Sequence, residues 1–225
     1  MKTTHEYLVK EQQKTLETAR YNYSFSAKLF FLGMDILAGR KDTLSKAKLL
    51  EILACIPYRA WEIRHYTKLT RKFRNSEKVN YSKQIVEWGR IAQDNEYWHL
   101  LVIHEKMKEE KMKDAWYLCS FVTLFAVLSY IFIARTMAFF SQKRAFLFNA
   151  EFENHAELVY AKFVKDHPEL ENQKQENEIV KQYTNVDTWA DVFRRISLDE
   201  RQHMIDSFIH CGKRQYVDKY YPDHN

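Results

Sequence analysis

Two short segments of the sequence each place a glutamate three residues before a histidine. The first pairs Glu96 with His99, and the second pairs Glu200 with His203. Residues three apart lie on the same face of an α-helix, so each pair can direct a carboxylate oxygen and an imidazole nitrogen at one metal ion. The two segments therefore predict metal ligands on two helices.

A single glutamate in an apolar helical segment precedes each pair, and the two separations are nearly equal. Glu51 precedes the first pair and Glu153 precedes the second. One glutamate from each of two helices plus Glu-x-x-His from two others is the ligand set of ferritin-like di-iron bundles. Four buried carboxylates need compensating cations, and two ferrous ions supply four positive charges. The alternative is that some of these glutamates are exposed and pair with surface lysines.

Length and composition predict one helical domain. The chain has 225 residues with only four Gly and three Pro, which favours long helices in a single domain over residues 1–225. We expect flexible tails at about 1–10 and 212–225. The three cysteines are far apart and indicate a reducing compartment without a disulfide framework. The net charge of +5 is spread among many acids and indicates an anionic surface as partner, which could be a membrane as easily as a nucleic acid.

The hydrophobic pattern predicts the elements that position the glutamates. The predicted helices cover 21–37, 44–73, 81–112, 143–165 and 186–211. An interruption or kink is expected at Pro57, and the polar segment 167–177 is expected to be a linker. The first thirty residues lack the early apolar run of a secretory signal.

Residues 115–134 contain no charged side chain and are long enough to span a bilayer. A span here would separate Glu96 from Glu153 by about 30 Å of hydrocarbon, so one shared metal site could not form. We therefore predict a helix that lies in the membrane interface or packs in the core.

A third Glu-x-x-His, formed by Glu62 and His65, has no matching glutamate ahead of it. Lys68, Arg71 and Lys72 follow it closely. We interpret this segment as a solvated helix surface.

The residues that flank the ligands form four motifs. They are Glu51 with Pro57, Asn95-Glu96-x-x-His99-Leu100, Glu153-x-His155-Ala156, and Asp199-Glu200-x-x-His203. In order and spacing these motifs resemble those of the alternative oxidases, most closely the plastid terminal oxidase branch. The resemblance covers residues 35–208.

Two glutamates compete for the first ligand position of this family. Leu16-Glu17-Thr18 spells the family's first motif, whereas Glu51 lies in Leu50-Glu51-Ile52. Only Glu51 has the accompanying alanine and proline downstream and a spacing that mirrors the second half of the chain. We therefore choose Glu51 over Glu17.

The resemblance implies a fold and a set of site residues. The implied fold is a ferritin-like four-helix bundle with two additional long helices that form a membrane-facing surface. The implied metal ligands are Glu51, Glu96, His99, Glu153, Glu200 and His203. Tyr160 matches the redox-active tyrosine of the family, and Asn95 and Asp199 would orient the ligands. The quinol-pocket positions are occupied by Lys46, Leu50 and Val159. Lys46 and Val159 replace the arginine and threonine usual in the family.

The function implied is oxidation of two quinols, ubiquinol or plastoquinol, coupled to four-electron reduction of dioxygen to water without proton pumping. The implied cofactor is a pair of non-haem iron ions. The implied protein is a homodimer attached to one membrane leaflet, at the cytoplasmic face of a prokaryotic inner membrane or in an organelle membrane after processing. Its implied partners are quinol, dioxygen and membrane lipid, and not nucleic acid. Two alternatives remain: another ferritin-like di-iron enzyme, such as a quinone-ring hydroxylase, and a non-enzymatic iron-binding helical protein.

Overall fold

The structure is a computed structural model that describes residues 4–19 and 21–222. Over these ranges the regular structure is helical, apart from one antiparallel β-bridge between Lys174 and Thr188. The predicted all-α fold class is confirmed. The chain divides into two compact units, a terminal unit (Met1–Thr43 with Phe146–Asn225) and a central unit (Leu44–Ala145).

Nine α-helices lie within the described ranges. In chain order they are α1 (His5–Glu17), α2 (Phe25–Ala38), α3 (Leu44–Arg71), α4 (Ser76–Glu109), α5 (Ser120–Phe140), α6 (Gln142–Asp166), α7 (Glu178–Tyr183), α8 (Trp189–His210) and α9 (Arg214–Tyr220), with short 3₁₀ helices at Trp116–Leu118 and Pro168–Asn172. The five helices predicted from the sequence correspond to α2, α3, α4, α6 and α8, with ends that differ by a few residues.

Local sequence signals set the helix ends of the terminal unit. The Ser24 hydroxyl accepts a hydrogen bond from the Ala27 N–H at the start of α2, and the Thr188 hydroxyl does the same for Asp191 at the start of α8. α2 ends at Gly39, whose φ of 82° is a conformation that residues with a Cβ rarely adopt. These caps fix where the long helices begin and end.

The central unit is built on the packing of α3 against α4. A Cβ at Gly89 of α4 would lie 3.3 Å from the backbone oxygen of Tyr58 in α3, so the absence of a side chain allows the two helices to approach closely. Next to this point Trp61 stacks on Trp88, with ring centroids 5.1 Å apart. α3 continues through Pro57. Of the two expected outcomes there, an interruption or a kink, the structure therefore excludes the interruption.

The segment 167–177 is not the free linker that its polarity suggested. It contains the 3₁₀ helix Pro168–Asn172 and buries Leu170 and Gln175. The Trp189 N–H donates to the Gln173 carbonyl, and the Gln175 N–H donates to the Asp187 carbonyl. Backbone hydrogen bonds therefore hold this segment against the start of α8.

Helices also occupy most of the two segments expected to be flexible tails. α1 begins at His5 and buries Leu8 completely. α9 covers Arg214–Tyr220, and both Val217 and Tyr221 are buried. The first three and last three residues lie outside the described residues.

Two helices expose large apolar side chains. α5 is long and apolar enough to cross a membrane and is mostly exposed; its exposed residues include Phe121, Phe125 and Phe132. α2 exposes Phe25 and Ile36 in the same way. These apolar faces are larger than ordinary solvated helix surfaces require.

Candidate metal site

The central unit brings Glu51, Glu96 and His99 together. Glu51 lies on α3, and α4 carries the other two residues one turn apart. The His99 Nδ1 atom is 3.5 Å from a carboxylate oxygen of Glu51 and 3.5 Å from one of Glu96. Each residue offers one ligand atom, and these atoms lie within 4.8 Å of one another. We call these residues the central triad.

The terminal unit contains a matching group, Glu153 from α6 with Glu200 and His203 from α8. Their ligand atoms also lie within 4.8 Å of one another, and the His203 Nδ1 atom is 3.7 Å from a Glu200 oxygen. All three side chains are buried. We call this group the terminal triad. It has the same composition as the central triad, two carboxylates and one imidazole.

The burial of these carboxylates needs a physical explanation. Glu96 and Glu153 are 0% exposed, Glu200 is 1% exposed and Glu51 is 3% exposed. Two ionised carboxylates about 4.8 Å apart repel each other by about 3 kcal/mol at an effective dielectric constant of about 20. A divalent cation between two such oxygens and an imidazole nitrogen converts that repulsion into attraction. The donor sets of both triads therefore fit a divalent metal.

Asn149 is a supporting residue that sequence reasoning missed. It lies one helical turn before Glu153 on α6, is fully buried, and donates from Nδ2 to a Glu153 oxygen at 3.0 Å. The same amide donates to the Ser207 hydroxyl at 3.1 Å. Asn149 thus fixes the orientation of the Glu153 carboxylate. Its spacing of four residues before a predicted ligand was the available signal.

The structure distinguishes Glu51 from its competitor Glu17. Glu17 is exposed at the end of α1 and accepts a hydrogen bond from the Gln13 side chain at 3.0 Å. Glu51 is buried and belongs to the central triad. Glu51 therefore has the burial and the neighbours that a metal ligand requires, and Glu17 does not.

The predicted tyrosine and orienting residues occupy different surroundings. Tyr160 is buried on α6, and its ring stacks on Phe193 of α8 with centroids 6.3 Å apart. Asp199 is buried and accepts a hydrogen bond from the Tyr183 hydroxyl at 2.6 Å. Asn95 is only half-buried on α4.

The three residues predicted for a quinol pocket are all buried. Lys46 and Leu50 lie on α3 of the central unit, each 4% exposed, and Val159 lies on α6 of the terminal unit. Burial of a lysine is unusual and marks Lys46 as a structurally specified position.

Glu157 is the centre of a buried network that sequence reasoning did not identify. Its carboxylate accepts hydrogen bonds from Thr15 at 2.8 Å, Arg201 at 2.8 Å and Tyr221 at 2.9 Å. Arg201 also pairs with Glu11 of α1. Burial disfavours the charge of Arg201, but the contacts with its two acidic partners outweigh burial and raise the pKa of the guanidinium. The network ties α1, α6, α8 and the residue after α9 together.

The third Glu-x-x-His is not a solvated surface, which corrects the sequence interpretation. His65 is 0% exposed, with Ser82 Oγ 3.1 Å from Nδ1 and Gln142 Oε1 2.8 Å from Nε2. Glu62 is half-buried and accepts hydrogen bonds from Arg90 and Gln93. Arg71 and Lys72, which follow this motif, are exposed as expected, but His65 itself lies in the core.

A second cluster of acids in the terminal unit has a different character. His5, Glu171 and Asp191 have close ligand atoms, but Arg194 forms ion pairs with both acids. The guanidinium already compensates their charge, so this group is an ion-pair network at the start of α8, with Asp191 and Arg194 buried, rather than a metal site.

No protein-family model and no curated protein sequence matches the chain at a significant level.

Proposed function

We propose that the two triads together hold two non-haem iron ions, and that the protein is a membrane-associated quinol oxidase. One observation carries the proposal: each unit buries two glutamates and one histidine with ligand atoms within 4.8 Å of one another. A ferritin-like bundle joins two such sets into one centre, and the sequence motifs resemble those of the alternative oxidases.

Iron suits these donor sets better than structural zinc, calcium or magnesium does. Structural zinc sites favour cysteine and histidine, and calcium and magnesium favour oxygen ligands alone. Carboxylate and imidazole ligands that leave open positions are typical of non-haem iron that reacts with dioxygen. When bound, two iron ions would supply the binding and reduction of dioxygen.

The reaction balances without a further co-reactant. Two quinols lose four electrons and four protons, and one dioxygen accepts them to give two water molecules. Without a proton-pumping device, the redox energy is released as heat.

The residues of the chain have separate roles in this proposal. The six triad residues hold the metal pair, and Asn149 keeps Glu153 in a fixed orientation through the hydrogen bond from its amide. Tyr160, buried against Phe193, would lend a hydrogen atom from its hydroxyl during dioxygen reduction. A quinol would return that hydrogen atom, so Tyr160 is unchanged over the cycle and the two quinols supply all four electrons. Burial of the site keeps bulk water away from the reacting groups.

The membrane part of the proposal rests on the exposed apolar helices. A quinol dissolves in the bilayer, so its oxidase needs a face in one leaflet and does not need to cross it. α5 exposes Phe121 and Phe132, which are 80% and 72% accessible, and α2 exposes Phe25 and Ile36. The same apolar faces could support a homodimer.

Metal analysis combined with oxygen consumption tests the proposal. Protein purified with ferrous iron should contain about two irons per chain, the stoichiometry of a di-iron bundle, and should consume oxygen when a short-chain quinol is added. Glu153→Ala should lose both iron and activity, whereas Tyr160→Phe should keep iron and lose activity. Glu17→Ala is the matched control, because Glu17 is an exposed glutamate outside both triads.

Three results would contradict parts of this proposal. Turnover that is unchanged in Glu153→Ala would refute the site. Incorporation of oxygen into the quinone ring would indicate a hydroxylase. Two bound irons without quinol-dependent oxygen uptake would indicate a non-enzymatic iron-binding protein.

A further inference from the structure

The central unit contains a cavity of about 420 Å³ beside α3 and α5, and none of the triad residues lines it. Five of the residues that line it are cationic: Arg64, Lys68 and Arg71 of α3, Lys72 just after that helix, and Arg135 of α5. No aspartate or glutamate lines it. This concentration of one charge contrasts with the mixed charges of the sequence as a whole.

The cationic groups of the cavity lack acidic partners. Over residues 4–19 and 21–222 none of the five forms an ion pair with an aspartate or glutamate. The Arg64 Nε atom is buried and has no hydrogen-bond partner within the same ranges. Burial and the neighbouring charge of Arg64 lower the pKa of Lys68. Among the described residues the cavity therefore has one buried donor without a partner, the Arg64 Nε atom, and an excess of positive charge that an anion would compensate.

The helix dipole explains only a small part of this charge. The C-terminus of α3 carries about half a negative charge, which favours one cation in its last turn. The cavity holds five. The remaining positive charge requires a ligand or bulk counterions.

One wall of the cavity is apolar and continues into the exposed face of α5. Ile63 and Ala138 line the wall, and Phe139 lies under the Arg64 guanidinium with 5.9 Å between the ring centroid and Cζ. Phe139 is 70% exposed and Phe140 is 80% exposed. A ligand with an anionic group and an attached hydrocarbon chain matches this arrangement.

We propose that this cavity binds the phosphate headgroup of an anionic membrane phospholipid, with the acyl chains against the apolar face of α5. Arginine and lysine are the usual phosphate ligands, and basic pockets beside apolar helices bind lipid headgroups in this way. A nucleic acid would instead require a cationic track along its backbone, whereas these cations surround one cavity. The proposal does not depend on iron or on quinol oxidation.

Vesicle co-sedimentation with the full chain tests the assignment. The probes are phosphatidylcholine vesicles with and without phosphatidylglycerol. We expect the wild type to bind the anionic vesicles more tightly, and Lys68→Gln/Arg135→Gln to bind them roughly 30-fold more weakly, about fivefold for each lost cation. The matched control is Lys83→Gln/Lys108→Gln, which removes the same charge from exposed positions of α4 outside the cavity. The control should lose little affinity.

Further arms separate the remaining interpretations. An equal loss of vesicle affinity in the two double variants would overturn the assignment of binding to the cavity, because it would show that only the general positive charge of the protein matters. Inorganic phosphate that raises the melting temperature of the wild type, with no preference for anionic vesicles, would overturn the lipid assignment in favour of a soluble phosphate ligand. If Lys68→Gln/Arg135→Gln does not fold, Arg71→Gln/Lys72→Gln tests the same cavity through two exposed residues. Iron content is measured in the same variants. If it is unchanged, a loss of vesicle binding concerns the cavity alone and does not bear on the oxidase proposal.

Discussion

Two buried glutamates of opposite role provide the sharpest prediction. Glu96 belongs to the central triad and lies within 4.8 Å of another carboxylate, whereas Glu157 accepts hydrogen bonds from Arg201, Thr15 and Tyr221. Glutamine has nearly the same shape as glutamate and removes the charge. The same substitution should therefore have opposite effects on stability at the two positions when metal is removed.

Glu96→Gln should stabilise the metal-free protein. The repulsion between two carboxylates at this separation is about 3 kcal/mol at an effective dielectric constant of about 20. Part of it is lost through relaxation, so we expect a gain of about 1–3 kcal/mol, or roughly 3–8 °C in Tm for a chain of this size. Glu157→Gln should cost about 1.5–3 kcal/mol, because it replaces a charged hydrogen-bond acceptor of Arg201 by a neutral one, while Arg201 keeps its ion pair with Glu11.

Thermal unfolding followed by circular dichroism, with and without ferrous iron, measures both effects. Iron should raise the Tm of the wild type and of Glu157→Gln, and it should raise the Tm of Glu96→Gln by less, because a protein that binds less metal gains less stability from it. If metal-free Glu96→Gln melts below the wild type, the carboxylates of the central triad do not destabilise the metal-free protein by repelling each other, and the reasoning is refuted.

Three further predictions concern single contacts. Tyr221→Phe removes the hydroxyl that donates to Glu157 at 2.9 Å and should cost about 1–2 kcal/mol by urea unfolding; an unchanged midpoint would mean that the end of the chain is not docked. Asn149→Ala should weaken iron binding by about 10–100-fold in a chelator competition, because an orienting partner of a ligand is lost; equal affinity would contradict that role. Burial raises the pKa of Glu62, but hydrogen bonding from Arg90 outweighs burial and lowers this pKa below its ordinary value of 4.5. Glu62 therefore stabilises the fold above pH 4.5, and this stabilisation is lost as the pH falls through the lowered pKa. The Tm difference between wild type and Glu62→Gln should therefore shrink in acid, and a difference that grows would refute the sign.

The sequence allowed the long helices and the triads to be predicted, because both depend on local periodicity. The three-residue spacing of Glu96 and His99 places them on one helical face whatever the tertiary fold, and apolar neighbours indicated that Glu51 would be buried. The literal motif at Glu17 did not indicate that this residue is exposed, because exposure depends on where α1 ends and packs.

Contacts between distant residues could not be predicted in the same way. The role of Glu157 depends on Arg201, Thr15 and Tyr221, which lie on three other segments. His65 was taken for a surface residue because basic residues follow it, but its environment is set by Ser82 and Gln142. Polar composition also concealed the docking of segment 167–177, which is held by backbone hydrogen bonds that any sequence can form.

Metal titration of the apo-protein tests the central claim most directly. Ferrous iron added without oxygen should bind to about two equivalents per chain, as expected for a di-iron bundle. Glu51→Ala in the central triad and Glu153→Ala in the terminal triad should each reduce that number, and Glu17→Ala should not. Binding of less than one equivalent, or full binding in both triad variants, would contradict the claim that these buried glutamates are metal ligands.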